Sequence, residues 1–223
     1  MPSAIMRLRA KGPYACFTRP ELKVERVSYP VITPSAARGL FEAVVWKPAI
    51  SWHIHRIVVE REIKFISVRR NEVNSKVSIP SVATIENGGQ IRQYYIEDDH
   101  TQRNTVALSD VQYVIDASFT LTGQAGAGDN ISKFVDMFQR RLEKGQYFHH
   151  PYFGCREFTA DVMPVIETLK PIEDNRDLGL MMLDIDYGDE KFRPVFFRAC
   201  LQNGILEVPA MLMQQGRAKG GVS

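Results

Sequence analysis

A stretch between residues 131 and 158 combines basic, histidine and aromatic side chains that could do chemistry on an anionic ligand. It reads ISKFVDMFQRRLEKGQYFHHPYFGCREF. Its candidate residues are Lys133, Arg140, Arg141, Tyr147, His149 and His150. Lysine and arginine bind phosphate groups, and histidine is the usual side chain for proton transfer near neutral pH. The stretch indicates either a surface for an anionic, stackable ligand or an ordinary helix followed by an aromatic strand.

Lys133 is the most informative of these residues. Apolar residues recur at helical spacing from Ile131 to Leu142, which places Lys133 close to the start of a helix. A cation at that end opposes the helix dipole, whereas Arg141 in the last turn suits it. We therefore expect Lys133 to have another partner, and an anion is the natural candidate.

Two further pairs of residues lie on predicted strands. His53 and His55 are two residues apart, so both side chains point to one face. Such a pair can bind a metal ion, but no third ligand is evident nearby, and no metal site is predicted. The pair either faces RNA or consists of ordinary surface histidines. Arg69 and Arg70 end the following strand, where they either bind phosphate or form a solvated edge.

Trp46 and Trp52 flank the Lys47-Pro48 pair. We favour core packing for both tryptophans, and the alternative is a stacking platform for an unpaired base. No Walker loop is present, and GQAGAGDN lacks the rest of a dinucleotide fingerprint. No cofactor is therefore predicted.

Composition and charge limit the class of protein. The chain has 223 residues, 44% of them hydrophobic and 24% charged, as in ordinary globular domains. Residues 1–159 hold 21 Lys and Arg against 16 Asp and Glu, whereas residues 160–223 hold 7 against 10. This mildly basic first part does not prove a nucleic-acid partner, but it is the part that would face one.

The sequence predicts a protein of the reducing cytoplasm. No apolar run is long enough to span a membrane, and the start MPSAIMRLRAKG has no signal-peptide core. The three cysteines, Cys16, Cys155 and Cys200, match neither a zinc spacing nor a disulfide framework.

The predicted elements of residues 1–159 follow the order strand, helix, strand, strand, helix, strand. The predicted strands include residues 14–18, 50–68 (as one strand or a pair) and 111–121. The first helix is predicted to begin with Thr33 as cap and Pro34, and to end at Lys47. The second is predicted to end at Gly145. This order is typical of a ferredoxin-like fold, an antiparallel sheet with two helices on one face.

The remaining chain shows a different pattern. Asn203-Gly204 lies between two apolar runs and predicts a β-hairpin. We therefore expect an α+β protein with a ferredoxin-like, RRM-like domain over residues 1–159 and a small antiparallel β-sheet domain over residues 160–209. Residues 210–223 are predicted to form a flexible tail. Residues 71–104 are polar and irregular, and indicate a loop, an insertion or a mobile hairpin.

Four blocks carry a resemblance to a known family: FEAVVWKPAISW, VRRNEV, KFVDMFQRRLEKGQYFHHPYFGCREF and NGILEVP. In this order they resemble the CRISPR-associated repeat-RNA-processing subunit of type I-C interference complexes (Cas-five family, subtype c/d, RAMP superfamily). The resemblance covers nearly the whole chain. It implies an RRM-like domain followed by a small antiparallel sheet, and two partners, the precursor CRISPR RNA repeat hairpin and the other complex subunits.

The resemblance also implies an activity. Family members cut the repeat at the 3′ base of its hairpin without a metal and stay on the 5′ handle. The 2′-OH attacks the adjacent phosphate and leaves a cyclic phosphate, which requires a base, an acid and a cation. In the family pattern a tyrosine precedes Trp-Lys-Pro, and a Lys-His pair opens the second helix. Here those positions hold Val45, Lys133 and Phe134, so only the cation is retained.

The resemblance leads to the following site. Lys133 is expected to stabilise charge at the scissile phosphate. The expected proton carriers are Tyr147, His149 and His150, with His53 and His55 as further candidates. The expected RNA-binding residues are Trp46, Lys47, His53, His55, Arg69, Arg70, Arg140 and Arg141. The alternatives are a handle-binding subunit that cuts poorly or not at all, and a nucleic-acid or protein scaffold that also accepts duplex DNA.

Overall fold

The computed structural model describes residues 2–22, 24–74, 86–88, 95–186 and 193–209. Its strands are β1 (Met6–Ala15), β2 (Arg26–Val27), β3 (Ile50–Val59), β4 (Lys64–Val73), β5 (His100–Leu121), β6 (Asp161–Met163), β7 (Arg176–Asp186), β8 (Arg193–Gln202) and β9 (Ile205–Glu207). Among the described residues, the helices of more than one turn are α1 (Pro34–Val44) and α2 (Ile131–Glu143).

The described strands form one mostly antiparallel sheet with few helices. Its main order is β6-β1-β5-β3-β9-β8-β7, and β2 and β4 also pair with β5. The β2–β5 pairing is parallel. β5 is long enough to serve two sets of partners, with β4 along residues 100–109 and with β1 and β3 towards its end.

Both helices form where the sequence predicts them. The Thr33 side chain accepts a hydrogen bond from the Ala36 amide, and Pro34 opens α1. Asn130 caps α2 in the same way through the Lys133 amide. Gly145, at φ +60°, follows the end of α2 in the left-handed region that favours glycine. α1 ends at Val44, earlier than predicted, because Val45 is already extended.

Strand bounds differ more from the sequence prediction. β1 begins at Met6, whereas the prediction placed the first strand at residues 14–18. The sequence prediction missed this start because Arg9, a charged residue that pairs with Glu60, is buried and so breaks the alternation of apolar and polar residues in β1. Residues 50–68 form parts of two strands, and β5 begins at His100, well before residue 111. Half of the predicted irregular segment 71–104 lies outside the described residues, and its described ends belong to β4 and β5.

The C-terminal strands continue the same sheet. β6 pairs with β1, and β9 pairs with β3, so both bond directly to strands of residues 1–159. The predicted Asn203-Gly204 hairpin is confirmed, since both residues have positive φ between β8 and β9. The division at residue 160 stays a prediction, and residues 210–223 lie outside the described part.

The helices cover one face of the sheet with an aromatic core. Phe41 of α1 stacks on Phe138 of α2 with ring centroids 5.4 Å apart, and Trp52 of β3 contacts both. Alternation along β3 turns His53 and His55 to the other face. No helix in the described part of the chain is long and apolar enough to cross a membrane.

Candidate functional site

Lys133 and Lys47 come together at the start of α2. They line a groove of about 430 Å³ with Pro48, Gln124 and Asp129 among its other residues. Lys47 arrives from the α1–β3 connection and Lys133 from the first turn of α2. Two cations on separate elements therefore face one groove that is large enough for a phosphate group.

Asp129 is the anionic partner of Lys133 within the chain. The Lys133 Nζ donates to Asp129 Oδ1 at 2.8 Å, and the Gly126 amide donates to Oδ2 at 3.0 Å. The hydrogen bond from Lys133, then that from Gly126 and the charge of Lys47, lower the pKa of Asp129. The expected anion therefore lies within the chain, four positions before Lys133, and the position of Lys133 on the helix does not by itself require a ligand anion.

Val45 and Phe134 are structural residues. Val45 is fully buried, and its carbonyl accepts a hydrogen bond from the Trp52 indole at 3.1 Å. Phe134 is 2% exposed and meets Phe119 edge to face. Neither position can supply or accept a proton, as their place in the apolar pattern predicted.

The segment from residue 147 to residue 150 lies beyond the other end of α2. Glu143 lies ten positions after Lys133, which is about 15 Å along the helix axis. The Phe148 amide donates to the Ala43 carbonyl at 2.7 Å, which attaches the segment to the end of α1. The structure therefore does not bring the histidines of this segment into the Lys133 groove.

The two histidines in this segment share a tautomer. His149 Nδ1 lies 3.2 Å from the His150 carbonyl oxygen, and His150 Nδ1 lies 2.9 Å from that of Pro151. A carbonyl oxygen only accepts, so each Nδ1 carries a proton, and the lone pair of the neutral ring is then at Nε2. In the neutral form each ring can accept a proton at Nε2.

Tyr147 is placed differently from its histidine neighbours. Its hydroxyl donates towards the Val162 carbonyl at 3.4 Å. Burial, followed by the nearby charge of Asp161, raises the pKa of Tyr147. A raised pKa leaves less phenolate at neutral pH, so Tyr147 is less available as a base than a neutral histidine.

Trp46 is not a core residue. Its side chain is 48% exposed and stacks on Phe148, which is 58% exposed, whereas Trp52 is 3% exposed. The core-packing interpretation is thus right for Trp52 and wrong for Trp46. Phe148 was missed by the sequence reasoning, although it lies inside the stretch that first pointed to a ligand.

His53 and His55 lie side by side on the face of the sheet away from the helices. His53 Nε2 is 2.9 Å from the Thr120 hydroxyl, and His55 Nε2 is 2.7 Å from the Ser118 hydroxyl. Beside them, burial opposes the charged form of Asp116, but hydrogen bonds from Arg7 and Arg56 lower its pKa. In the described ranges no group of three or more His, Cys, Asp or Glu residues could hold a metal ion.

The four arginines predicted to bind RNA differ in exposure and in their bonds to the rest of the chain. Arg141 donates to the Val44 carbonyl at 2.9 Å and so joins α2 to the end of α1. Arg70 is paired with Glu157 and donates to the Thr105 hydroxyl. Arg69 and Arg140 are exposed and can reach a ligand.

Comparison with known proteins agrees with the resemblance in the sequence. The model of the CRISPR-associated protein Cas5 family, in its Cas5d form, matches residues 5–209. A Mannheimia succiniciproducens protein named CRISPR pre-crRNA endoribonuclease Cas5d is 47% identical, covering 94% of this chain and 97% of the relative. A Thermus thermophilus protein of the same name is 37% identical, covering 97% of this chain and 99% of the relative.

Solved structures agree on the fold. A structure titled as a CRISPR-associated protein superposes with a TM-score of 0.69 at 20% identity, covering 94% of both chains. A functionally uncharacterized Streptococcus mutans protein gives 0.68 at 19% identity, covering 98% and 97%. Because a family model spans most of the chain and two relatives match it nearly end to end, this chain belongs to the Cas5d family of CRISPR-associated proteins.

Proposed function

We propose that this protein is a metal-independent endoribonuclease that binds the repeat hairpin of precursor CRISPR RNA, cuts it, and stays on the 5′ handle. The observation that carries the proposal is the 47% identity, over nearly the full length, to a relative named as a pre-crRNA endoribonuclease. A chain in a surveillance complex guided by CRISPR RNA has a related fold, with a TM-score of 0.50.

The fold supports an RNA-binding assignment. The four strands β6-β1-β5-β3 are antiparallel neighbours, and α1 and α2 follow the first and third of them in chain order. This arrangement supports the ferredoxin-like, RRM-like class that the sequence predicts. The cytoplasmic location and the partnership with other complex subunits stay part of the proposal.

The proposed chemistry begins at the Lys47–Lys133 groove. The scissile phosphate displaces Asp129 from Lys133, and the two ammonium groups stabilise the negative charge that develops as the 2′-OH attacks. The RNA strand then runs past Trp46 towards the 147–150 segment. Exposed Arg69 and Arg140 are proposed to contact its backbone, with Arg70 and Arg141 close by, and His53 and His55 to face RNA on the open sheet.

A proton carrier must lie within hydrogen-bond reach of the reacting oxygens, so His149 and His150 act only if RNA binding brings the 147–150 segment and the phosphate at Lys133 together. On that proposal the double variant His149→Ala/His150→Ala loses cleavage by about 10²-fold or more, because general acid–base catalysis contributes that much. Single-turnover cleavage of the repeat RNA is the measurement. His100→Ala removes a histidine outside the proposed site and serves as control. If single and double changes at Tyr147, His149 and His150 all keep the wild-type rate, proton transfer lies elsewhere, with His53 and His55 next.

A second candidate function is favoured by one observation. Val45 and Phe134 are buried where the family pattern has proton carriers, and Lys133 is already paired with Asp129. This combination favours a handle-binding scaffold subunit that does not cut, and the basic first part also admits duplex DNA as a partner.

The test uses the protein's own repeat RNA and two competitors. We expect unlabelled repeat hairpin to displace labelled repeat RNA, and random duplex RNA or DNA of equal length to compete at least tenfold less well. Salt dependence alone does not discriminate, because all of these ligands are bound largely through phosphates. Cleavage of the repeat but not of the same RNA with a scrambled stem supports the enzyme, and binding without cleavage supports the scaffold.

A further inference from the structure

The Trp46–Phe148 pair is an exposed aromatic surface beside the proposed cleavage groove. The two rings stack with centroids 5.5 Å apart and planes inclined by 24°. About half of each side chain nevertheless remains exposed, at 48% and 58%. By contrast, the core rings Phe41 and Phe119 are fully buried. Large aromatic surface left in water next to a polar site is typical of a binding surface.

The backbone under this pair is firmly held. The Phe148 amide donates to the Ala43 carbonyl at 2.7 Å, and the Arg141 guanidinium donates to the Val44 carbonyl at 2.9 Å. The Val45 carbonyl accepts from the Trp52 indole in the core. The rings are thus presented on the ends of two packed helices, so a ligand that stacks on them does not have to order the backbone.

A positively charged or polar residue follows each of the two aromatic residues in the sequence. Lys47 follows Trp46 and lines the groove that contains Lys133. His149 follows Phe148 and meets its ring edge to face, with centroids 5.9 Å apart. A nucleotide combines a flat base with a phosphate on either side, which is the complement of this surface.

We propose that Trp46 and Phe148 form a stacking site for one unpaired nucleobase of the RNA, adjacent to the phosphate held by Lys47 and Lys133. The proposal rests on the proposed function. The two rings already touch, so the base adds to an exposed ring face and does not insert between them. Because every base has such a face, the site selects an unpaired nucleotide at the foot of the hairpin and tolerates its sequence.

The site gives the enzyme a way to choose its cut position. Bases inside a continuous duplex are stacked on both sides and offer no free face, whereas the nucleotide that leaves the stem does. Stacking of that nucleotide on Trp46 and Phe148 sets the distance from the stem to the Lys133 groove.

The test combines protein variants with abasic RNA. Trp46→Ala and Phe148→Ala are each compared with wild type on intact repeat RNA and on repeats carrying one abasic nucleotide at successive positions near the foot of the stem. We expect each variant to lose about 5- to 100-fold in affinity for intact RNA. At one abasic position the affinity of wild type should fall by a similar factor. On that abasic RNA the variants should bind almost as well as wild type, because the stacking contact is already absent.

Two controls separate stacking from other effects. Phe65→Ala removes an aromatic side chain of similar exposure, 50%, from β4 and should change nothing. Trp46→Phe keeps a stacking ring and should retain most of the affinity. A 2-aminopurine placed at the sensitive position should be quenched on binding wild type and not on binding the double variant Trp46→Ala/Phe148→Ala, which lacks both rings.

The outcomes distinguish this proposal from the proposed function. If wild type binds and quenches but does not cut, the stacking site stands and the ribonuclease assignment fails. If wild type cuts and neither the ring variants nor any abasic position alters affinity or cut position, the stacking site is overturned. Loss of binding to another complex subunit, with RNA binding unchanged, also overturns it and assigns the rings to a protein contact.

Discussion

Lys133→Ala is expected to reduce cleavage of the repeat RNA by about 10²-fold or more while leaving hairpin affinity within about tenfold of wild type. The reason is that Lys133 faces charge that develops only in the transition state, whereas ground-state binding is shared with many other phosphate contacts. Single-turnover cleavage and equilibrium binding, measured on the same RNA, separate the two effects.

The effect of Lys133→Ala on RNA binding also depends on Asp129, and a double variant separates the two contributions. Removing Lys133 leaves the Asp129 carboxylate, its partner at 2.8 Å, facing the phosphate. The double variant Lys133→Ala/Asp129→Asn removes both charges, so it should recover binding but not cleavage. Lys144→Ala, which removes an exposed cation at the far end of α2, is the matched control for net charge. Wild-type cleavage by Lys133→Ala would remove Lys133 from the proposed mechanism.

Glu60→Ala is expected to cost about 3–5 kcal/mol in the free energy of unfolding, because it removes the hydrogen-bonded partner of a buried arginine. Exposed Glu167, 3.8 Å from Arg9, remains as a weaker partner. The Glu60 side chain is 1% exposed and accepts two hydrogen bonds from Arg9, at 2.9 and 3.1 Å. It also accepts from the Gln112 side chain and the Lys170 amide. One carboxylate thus joins β1, β5 and the chain that follows β6.

Urea unfolding measures this cost, and Glu62→Ala is its control. Glu62 is 78% exposed and pairs with Lys64 at 3.1 Å, so its removal should cost no more than about 1 kcal/mol. If both variants lowered the free energy of unfolding equally, the structural role of Glu60 and its hydrogen-bond partners would be contradicted.

The hydrogen bonds that Glu60 accepts from Arg9, Gln112 and Lys170 also predict how the stability of the protein changes with pH. Burial opposes the charged form of Glu60, but hydrogen bonds from Gln112, Lys170 and Arg9 outweigh burial and lower the pKa of Glu60 from 4.5. The unfolded chain therefore takes up this proton at a higher pH than the folded chain does. The stabilisation is complete above pH 4.5 and is lost as the pH falls through the lower folded value. Glu60→Gln should weaken this dependence.

Local patterns in the sequence predicted the helices and the terminal hairpin correctly. The cap Thr33 and the left-handed Gly145 were predicted because neighbours within a few residues decide them, whereas the cap Asn130, decided just as locally, was missed. The order of the strands is decided by contacts between distant segments. The pairing of β9 with β3, for example, has no local signal.

In the candidate site, too, features decided by neighbouring residues were predictable and contacts between distant segments were not. The stretch around Lys133 was recognisable from its residue types and from its resemblance to the family. The pairing of Lys133 with Asp129 could have been found, because a residue four positions away lies within reach on a helix start. The stacking of Trp46 on Phe148 could not, since about a hundred residues separate them. The separation of Lys133 from His149 could also have been found, because the predicted second helix begins near Lys133 and ends at Gly145, before His149.

The most direct measurement of the central claim is the chemistry of the RNA end left by the purified protein in EDTA. The protein's own repeat RNA is compared with the same RNA carrying a 2′-deoxy nucleotide on the 5′ side of the cut. Attack by the 2′-OH without a metal predicts cleavage in EDTA, a cyclic phosphate on the upstream product, and no cleavage at the deoxy position. Binding of both RNAs without cleavage, or cleavage that requires a metal and tolerates the deoxy nucleotide, would contradict the account.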